Sequence, residues 1–162
     1  MTETRPSGIA DTDTYITRMF AAPRAVVFDF WLQPARLAEW WGPIGYSAPA
    51  EHIVMERAVG GRFQLCMIEE STGVEIWTYG EVLEFVEPEL IAFQLSVKRP
   101  VDEEPITMQL RVQFHDHGER TRITLHQGPF AATEMERGNN IGWSMSFDKL
   151  DAAIAGVTGI RP

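Results

Sequence analysis

The chain has 162 residues, 44% of them hydrophobic, and its 23 acidic against 14 basic residues give a formal net charge of -9. This length suits one domain with its own core, and the acidic excess disfavours binding to nucleic-acid phosphates. No apolar run approaches the roughly 18 residues that a membrane span needs, so insertion into a bilayer is not expected. The single cysteine, Cys66, excludes an internal disulfide and a cysteine-based zinc site, which is typical of a cytoplasmic protein.

The chain begins with a polar segment, followed by a strand and two helices. Met1–Asp13 lacks the apolar core of a secretory signal and is interpreted as a flexible tail before the domain. Tyr15–Phe20 is a β-type run, and Pro23 suits a first helical turn because its missing N–H needs no partner there. An apolar stripe predicts a helix over Arg24–Leu32, and a proline break separates it from a second short helix over Pro34–Trp40.

From Ser47 onward the hydrophobic period becomes two, which predicts an antiparallel meander with short turns. A first strand is predicted over Glu51–Arg57, and the glycine pair Gly60-Gly61 is expected to supply positive φ in a hairpin turn. Cys66 falls on the strand face opposite Phe63, Leu65 and Met67 and is interpreted as inert. The later strands are predicted at Phe63–Met67, Glu75–Val86 with a bulge near Gly80, Leu90–Val97, Met108–Phe114 and Ile123–Leu125.

The last element is predicted to be a long helix whose start is left open between Thr133 and Asn139. Thr133 and Glu136 have the spacing of a capping box. The glycine and asparagines at 138–140 weaken the helix and favour a kink before its main segment. An apolar stripe then recurs at helical spacing, at Trp143, Phe147, Leu150 and Ile154.

Gly156 is placed to end this helix in a left-handed conformation. The sequence therefore predicts one domain over residues 14–156, with residues 157–162 as a C-terminal tail.

Four motifs occur in the order found in a known family. They are Pro23-Arg24-Ala25-Val26-Val27-Phe28 through Glu39-Trp40-Trp41-Gly42-Pro43, Gly60-Gly61-Arg62-Phe63, Gly80-Glu81-Val82-Leu83-Glu84-Phe85 with Pro88-Glu89, and Gly142-Trp143 with Leu150-Asp151. Over nearly its whole length the chain resembles the activator of Hsp90 ATPase homologue 1-like (AHSA1) family, within the START/Bet v 1-like superfamily. Together with the element order, the resemblance implies an α+β helix-grip fold. In this fold a curved antiparallel sheet, here of about six or seven strands, wraps around a long C-terminal helix, and two short helices follow the first strand.

The resemblance also implies a hydrophobic cavity between the sheet and the long helix, used elsewhere in the superfamily for lipids, polyketides or other apolar molecules. Ligand sites of this kind are commonly about 300 to 1,000 Å³. A solidly packed core would require the same alternation, so both interpretations stay open. One ring of the adjacent Trp40 and Trp41 is expected near solvent or over an opening, since both cannot share one helical stripe. The residues predicted to line the cavity or its mouth are Phe28, Trp31, Trp40, Trp41, Phe63, Leu65, Met67, Trp77, Tyr79, Phe93, Leu95, Met108, Leu110, Val112, Trp143 and Phe147.

Signals for catalysis and metal binding are thin, and we assign no catalytic residue, metal ligand or cofactor. The spacing in His115-Asp116-His117 can place two ligands on one strand face, but Asp116-His117-Gly118 is more typical of a solvated turn. No serine lies in a nucleophile-elbow pattern, and the glycine pair lacks the spacing of a phosphate loop. Polar strand residues are candidates for acid–base roles if they face inward, namely Tyr79, Gln94, Arg111 and His126.

Three functions follow as hypotheses. The first is binding of an apolar small molecule, whether a lipid, a polyketide or an aromatic compound. The second, implied by the resemblance, is stimulation of the ATPase of an Hsp90 chaperone partner. The third is a cofactor-independent cyclase or hydrolase acting on an apolar cyclic substrate. Strand edges and aromatic residues such as Trp77 and Tyr79 are also compatible with a homodimer.

Overall fold

A computed structural model describes residues 6–130 and 133–159 of the chain. The elements are, in chain order, β1 (Thr14–Phe20), α1 (Arg24–Asp29), α2 (Pro34–Leu37), β2 (Tyr46–Ser47), a 3-10 helix (Ala50–His52), β3 (Val54–Met55), β4 (Arg62–Glu69), β5 (Glu75–Val86), β6 (Leu90–Lys98), β7 (Ile106–His117), β8 (Arg120–Gly128) and α3 (Thr133–Thr158). Most of the strands form one antiparallel meander that α3 packs against. The α+β helix-grip fold predicted from the sequence is confirmed.

The sheet has the strand order β1-β8-β7-β6-β5-β4-β2, and β3 pairs with β4 outside this path. Strands β4 to β8 are consecutive neighbours, as short turns between alternating segments predict. The first strand returns to the edge beside the last one, where Thr14 pairs with Gln127 and Phe20 with Thr121. The pairing of β1 with β8 brings these two strands and the start of α3 into one region.

Most of the segment Glu51–Arg57, which is predicted to be a strand, does not form one. Only Val54–Met55 pairs with β4, because the preceding residues form a 3-10 turn. There the N–H groups of His52 and Ile53 donate to the carbonyls of Pro49 and Ala50. Those backbone groups are satisfied locally and are not available to a neighbouring strand.

The structure refines two glycine predictions. The bulge predicted near Gly80 is present in β5 as a register shift between Val82 and Glu84. Gly80 is instead a point of close approach, since a Cβ there would lie 2.6 Å from the carbonyl oxygen of Gln94. In the turn before β4, Gly60 has a φ of 83° and is the only member of the predicted pair with positive φ.

The long helix α3 is continuous from Thr133 to Thr158, so it does not end at Gly156 as predicted. The left-handed residue is Gly159, with a φ of 75°, and its N–H donates to the Ala155 carbonyl. Burial of an apolar face against the sheet offsets the weak helix propensity of the glycine and asparagines. The side chain of Thr133, on which the capping box depends, lies outside the described residues, as do Met1–Arg5 and residues 160–162 of the predicted tails.

Aromatic side chains fill the end of the interior beside α1 and α2. Trp31 stacks on Trp143 with ring centroids 6.0 Å apart, and Trp40 lies 4.6 Å from Trp31. Phe147 contacts Phe20 edge to face at 5.3 Å. Such close ring packing leaves no room for a ligand at this end of the molecule.

Candidate functional site

A cavity of about 530 Å³ lies between the concave face of the sheet and the N-terminal half of α3. Its sheet side is built from inward positions of β6 and β7, where Leu95 is the register partner of Met108 and Val97 that of Ile106. Alternation along each strand turns these apolar side chains to the same face. The cavity therefore occupies the end of the interior opposite the packed aromatic residues.

The space exists because α3 presents small residues to it. Gly138, Gly142 and Ser146 line the cavity at intervals of four residues, which places them on one helix face. Among the described residues, a Cβ at Gly138 would meet no atom within 4 Å, and one at Gly142 would meet only Pro43, at 3.9 Å. Farther along the helix, the large ring of Phe147 fills the corresponding volume.

Polar groups meet at the wall formed by β1, β8 and α3. The side-chain oxygen of Gln127 accepts hydrogen bonds from Asn139 Nδ2 at 2.8 Å and from Trp143 Nε1 at 2.7 Å. Asn139 Nδ2 also donates to Thr14 Oγ1 at 2.9 Å. Gln127, Asn139 and Trp143 all line the cavity. The network thus fixes the start of α3 on the sheet and places amide groups in a mainly apolar wall.

An ion pair lies at the mouth of the cavity, where lining residues are exposed to solvent. The side chain of Arg99 is 47% exposed and donates to Asp102 through Nε at 2.9 Å and Nη2 at 2.8 Å. These bonds, with a further one from the Arg99 backbone, hold the pKa of the Asp102 carboxyl at about 2. The same pairing raises the pKa of Arg99. The guanidinium at the entrance is therefore already neutralised by its own loop.

Some of the residues predicted to line a cavity do so, namely Trp41, Met67, Leu95, Met108 and Trp143. Of the adjacent tryptophans, Trp41 contributes to the wall while Trp40 is fully buried in the packed end. Both rings are buried, at 0% and 6% exposure, so neither lies near solvent, and only Trp41 borders the cavity.

The other predicted residues lie away from the cavity wall. Trp77 and Tyr79 stack on each other at 5.9 Å on the convex face, because Thr78 takes the inward position of that strand. The remaining ones pack against one another in the closed part of the core: Phe28, Trp31, Trp40, Phe63, Leu65, Phe93, Leu110, Val112 and Phe147. Their assignment to the cavity wall is corrected, since they fill the interior instead of surrounding a space.

The comparisons with known proteins agree with this architecture. Residues 21–155 match the family model described as Activator of Hsp90 ATPase homolog 1-like protein. The chain belongs to this family. No functionally curated protein is significantly similar to it in sequence.

Solved structures share the fold of this AHSA1-like chain. The AHSA1 protein from Silicibacter pomeroyi superposes with a TM-score of 0.79 at 23% identity, over 90% of this chain and 99% of that one. Protein CV1439 from Chromobacterium violaceum gives 0.77 at 21%, over 90% and 98%. Protein Ms6760 from Mycobacterium smegmatis gives 0.74 at 24%, over 91% and 93%. At these identities the likeness concerns the fold and carries no ligand with it.

Sequence reasoning missed the polar part of the AHSA1-like cavity. Gln127 continues the inward register of Ile123 and Leu125, so its facing was available from the period of two. Asn139 and Trp143 are four residues apart on α3 and therefore share a face. The sequence pattern does not show that the inward face of β8 contacts this face of α3, because the contact depends on how α3 crosses β8.

The polar strand residues proposed for acid–base roles lie outside the cavity. Arg111 Nη1 donates to Glu84 at 2.7 Å, and His126 Nε2 lies 2.8 Å from the Asp13 carboxylate. Gln94 bonds to Gln109 at 3.3 Å, and Tyr79 is 49% exposed. All occupy strand positions alternate to those of the cavity wall, so none is placed for an acid–base role on a molecule held in this cavity.

Residues 6–130 and 133–159 contain few other groups that could act chemically. No group of three or more His, Cys, Asp or Glu residues there is arranged to hold a metal ion. No helix in this part of the chain is long and apolar enough to cross a bilayer. Cys66 is buried, and burial raises the pKa of its thiol, which disfavours the reactive thiolate.

Proposed function

We propose that this AHSA1-like protein binds an apolar small molecule in the cavity between the sheet and α3. The observation that carries the proposal is the cavity itself, about 530 Å³ in volume and lined mainly by aliphatic, aromatic and small residues. This volume falls in the range typical of small-molecule sites. A ligand would gain from leaving water for such a wall, in proportion to the apolar area it buries.

A fluorescence titration with the neutral probe N-phenyl-1-naphthylamine tests the proposal. We expect saturable binding by the wild-type protein and a rise in its melting temperature, because a ligand that binds only the folded state stabilises it. The variant Gly142→Leu should weaken binding at least about tenfold, since the new side chain enters the volume beside Pro43.

The matched control is Gly156→Leu, which makes the same exchange at an exposed position of the same helix, where no described residue has an atom within 4 Å of the new Cβ. This variant should bind the probe as the wild type does. Equal binding by Gly142→Leu and wild type would contradict the proposal.

A co-chaperone role is a second candidate, supported by the description of the matching family. It predicts that adding the protein to an Hsp90 raises the rate of ATP hydrolysis, and that Gly142→Leu retains this effect because the contact would use the surface. An unchanged hydrolysis rate over a wide range of concentrations would reject it. An enzymatic function is not proposed, since Arg99 is the only ionisable side chain among the described residues of the cavity wall and it is ion-paired.

A further inference from the structure

The orientation of the Gln127 amide is fixed by its neighbour. Trp143 Nε1 can only donate a hydrogen bond, so the Gln127 atom 2.7 Å from it must be the amide oxygen. The NH2 group of Gln127 therefore points the other way, toward the sulfur of Met108 at 2.9 Å. Both Gln127 and Met108 line the cavity, so this NH2 group is directed at the cavity wall.

This NH2 group is poorly satisfied. Gln127 is only 5% exposed, which removes it from bulk water. Its partner is a thioether, which accepts hydrogen bonds weakly, and an amide nitrogen carries two hydrogens to donate. Burying a donor without a good acceptor is unfavourable. An oxygen acceptor supplied by a molecule in the cavity would remove this penalty.

Among the described residues, the cavity wall offers no free charge to accompany this donor. Its other amide, Asn139, is neutral, and its one ionisable lining residue, Arg99, is held by Asp102 at the mouth. An ionised ligand group would have to lose its water without gaining a counter-charge, which is costly. The hydroxyl groups of Thr78 and Ser146 also line the cavity, and that of Ser146 already donates to the Gly142 carbonyl. The polar recognition available inside is therefore that of neutral groups, with Gln127 Nε2 as the poorly satisfied donor.

We infer that Gln127 is the polar anchor of the cavity, and that the cavity takes neutral, largely apolar molecules carrying a carbonyl oxygen. The carbonyl accepts a hydrogen bond from Gln127 Nε2, while the hydrocarbon part lies against Leu95, Val97 and Met108. This inference rests on the proposed ligand-binding function and adds the chemical class of the ligand.

The test compares two probes that differ only at the carbonyl: prodan, an aminonaphthalene ketone, and its analogue with a methylene group in place of the carbonyl. In the wild type, a hydrogen bond from Gln127 Nε2 replaces the one that the ketone oxygen makes to water, so the two probes should bind with similar affinity. In Gln127→Met that compensation is gone, and the ketone should lose about tenfold relative to the analogue. The infrared carbonyl stretch of bound prodan should lie at lower frequency in the wild type than in hydrocarbon solvent.

Gln127→Met also deprives Trp143 and Asn139 of their acceptor, so its fold is at risk. Gln127→Glu at about pH 9 keeps an acceptor for both but offers no donor, and it should lose the ketone in the same way. An unchanged ratio of affinities in these variants, or a hydrocarbon-like carbonyl stretch in the wild type, would overturn the inference and leave the proposed function standing. Failure of the wild type to bind either probe would overturn the inference, and the proposed function falls with it if N-phenyl-1-naphthylamine does not bind either.

Discussion

At the scale of single residues, one carboxylate determines the charge that an incoming molecule meets. Asp102 receives two hydrogen bonds from the Arg99 side chain at the cavity mouth. Because the pKa of Asp102 falls from 3.8 to about 2 in the folded protein, it contributes stability above pH 3.8 that is lost as the pH falls toward 2. At neutral pH Asp102 therefore stays ionised and keeps Arg99 neutralised.

Removing that carboxylate should change which probes the mouth accepts. In Asp102→Asn the Arg99 charge is uncompensated, so the affinity for anilinonaphthalene sulfonate should rise about two- to fivefold at low salt, the effect of an exposed charge pair. N-phenyl-1-naphthylamine has the same rings without the sulfonate, and its affinity should not change. Fluorescence titration measures both, and high salt should abolish the gain. An equal change for both probes would contradict this account of the mouth.

His115 makes the stability of the sheet depend on pH. Partial burial lowers the pKa of this imidazole below 6.5, and the charge of Arg122 adds to the effect. The unfolded chain therefore binds a proton first as the pH falls, so the free energy of unfolding should decrease from just above pH 6.5 downward until the folded-state pKa is passed.

The variant His115→Gln should lose this contribution while keeping a group able to bond with Thr124, which lies 3.0 Å from the imidazole Nε2. Urea unfolding at about pH 7.5 and pH 5.5 measures the difference, and it should be smaller in the variant than in the wild type. His52→Gln, on the 3-10 helix, is the control for loss of an imidazole elsewhere. Identical pH dependence in His115→Gln and wild type would show that His115 is not the source.

At the scale of elements, α3 combines a weak helical sequence with a strong packing face. Gly138 and Gly142 lower its helix propensity but open the cavity, whereas Phe147 and Leu150 bury the face that holds the helix in place. The glycines therefore leave room for the cavity between α3 and the sheet, and they lower the stability of the helix. Gly80 in β5 has a different role, since its lack of a side chain allows the backbone of the neighbouring strand to approach closely.

Alanine substitutions should separate these two uses of glycine. Gly138→Ala should raise the free energy of unfolding by about 0.5 to 1 kcal/mol, because the added methyl meets no atom within 4 Å and alanine favours the helix. Gly80→Ala should lower it, since its Cβ would lie 2.6 Å from the Gln94 carbonyl oxygen and the backbone must shift. Urea unfolding of both variants measures these changes in the free energy of unfolding. Destabilisation by Gly138→Ala would show that its surroundings are not open.

The elements themselves were largely predictable from the sequence, and the cavity wall only in part. Period-two alternation identified β4 and β6 to β8 because each buries one face, and the same rule gives the inward facing of Gln127. It failed at residues 51–57, where a local 3-10 turn takes up the backbone hydrogen bonds. Alternation also cannot separate Leu95, which borders space, from Leu110, which touches its neighbours on all sides. That distinction depends on where along α3 the glycines end and the large rings begin.

At the scale of the whole molecule, the interior has two ends with different physical roles. Beside α1 and α2, rings pack at 4.6 to 6.0 Å around Trp31 and supply a closed core. Beside the β6–β7 loop, aliphatic side chains and glycines surround about 530 Å³ of space. Close packing at one end stabilises the fold, so the other end can remain unfilled in a domain of this size.

Matched leucine truncations should reveal this division. Leu110 and Leu95 lie on neighbouring strands and are 0% and 1% exposed, but only Leu95 borders the cavity. Leu110→Ala should cost about 4 to 5 kcal/mol of unfolding free energy, because it leaves a new void in close-packed surroundings, and Leu95→Ala about 2 to 3, because part of its surroundings is already space. Ligand binding should respond in the opposite order: Leu95→Ala should alter the affinity for N-phenyl-1-naphthylamine, and Leu110→Ala should leave it unchanged while the protein is folded. Urea unfolding and probe titration on the same two variants measure both quantities, and equal costs for the two truncations would mean that the interior is uniformly packed.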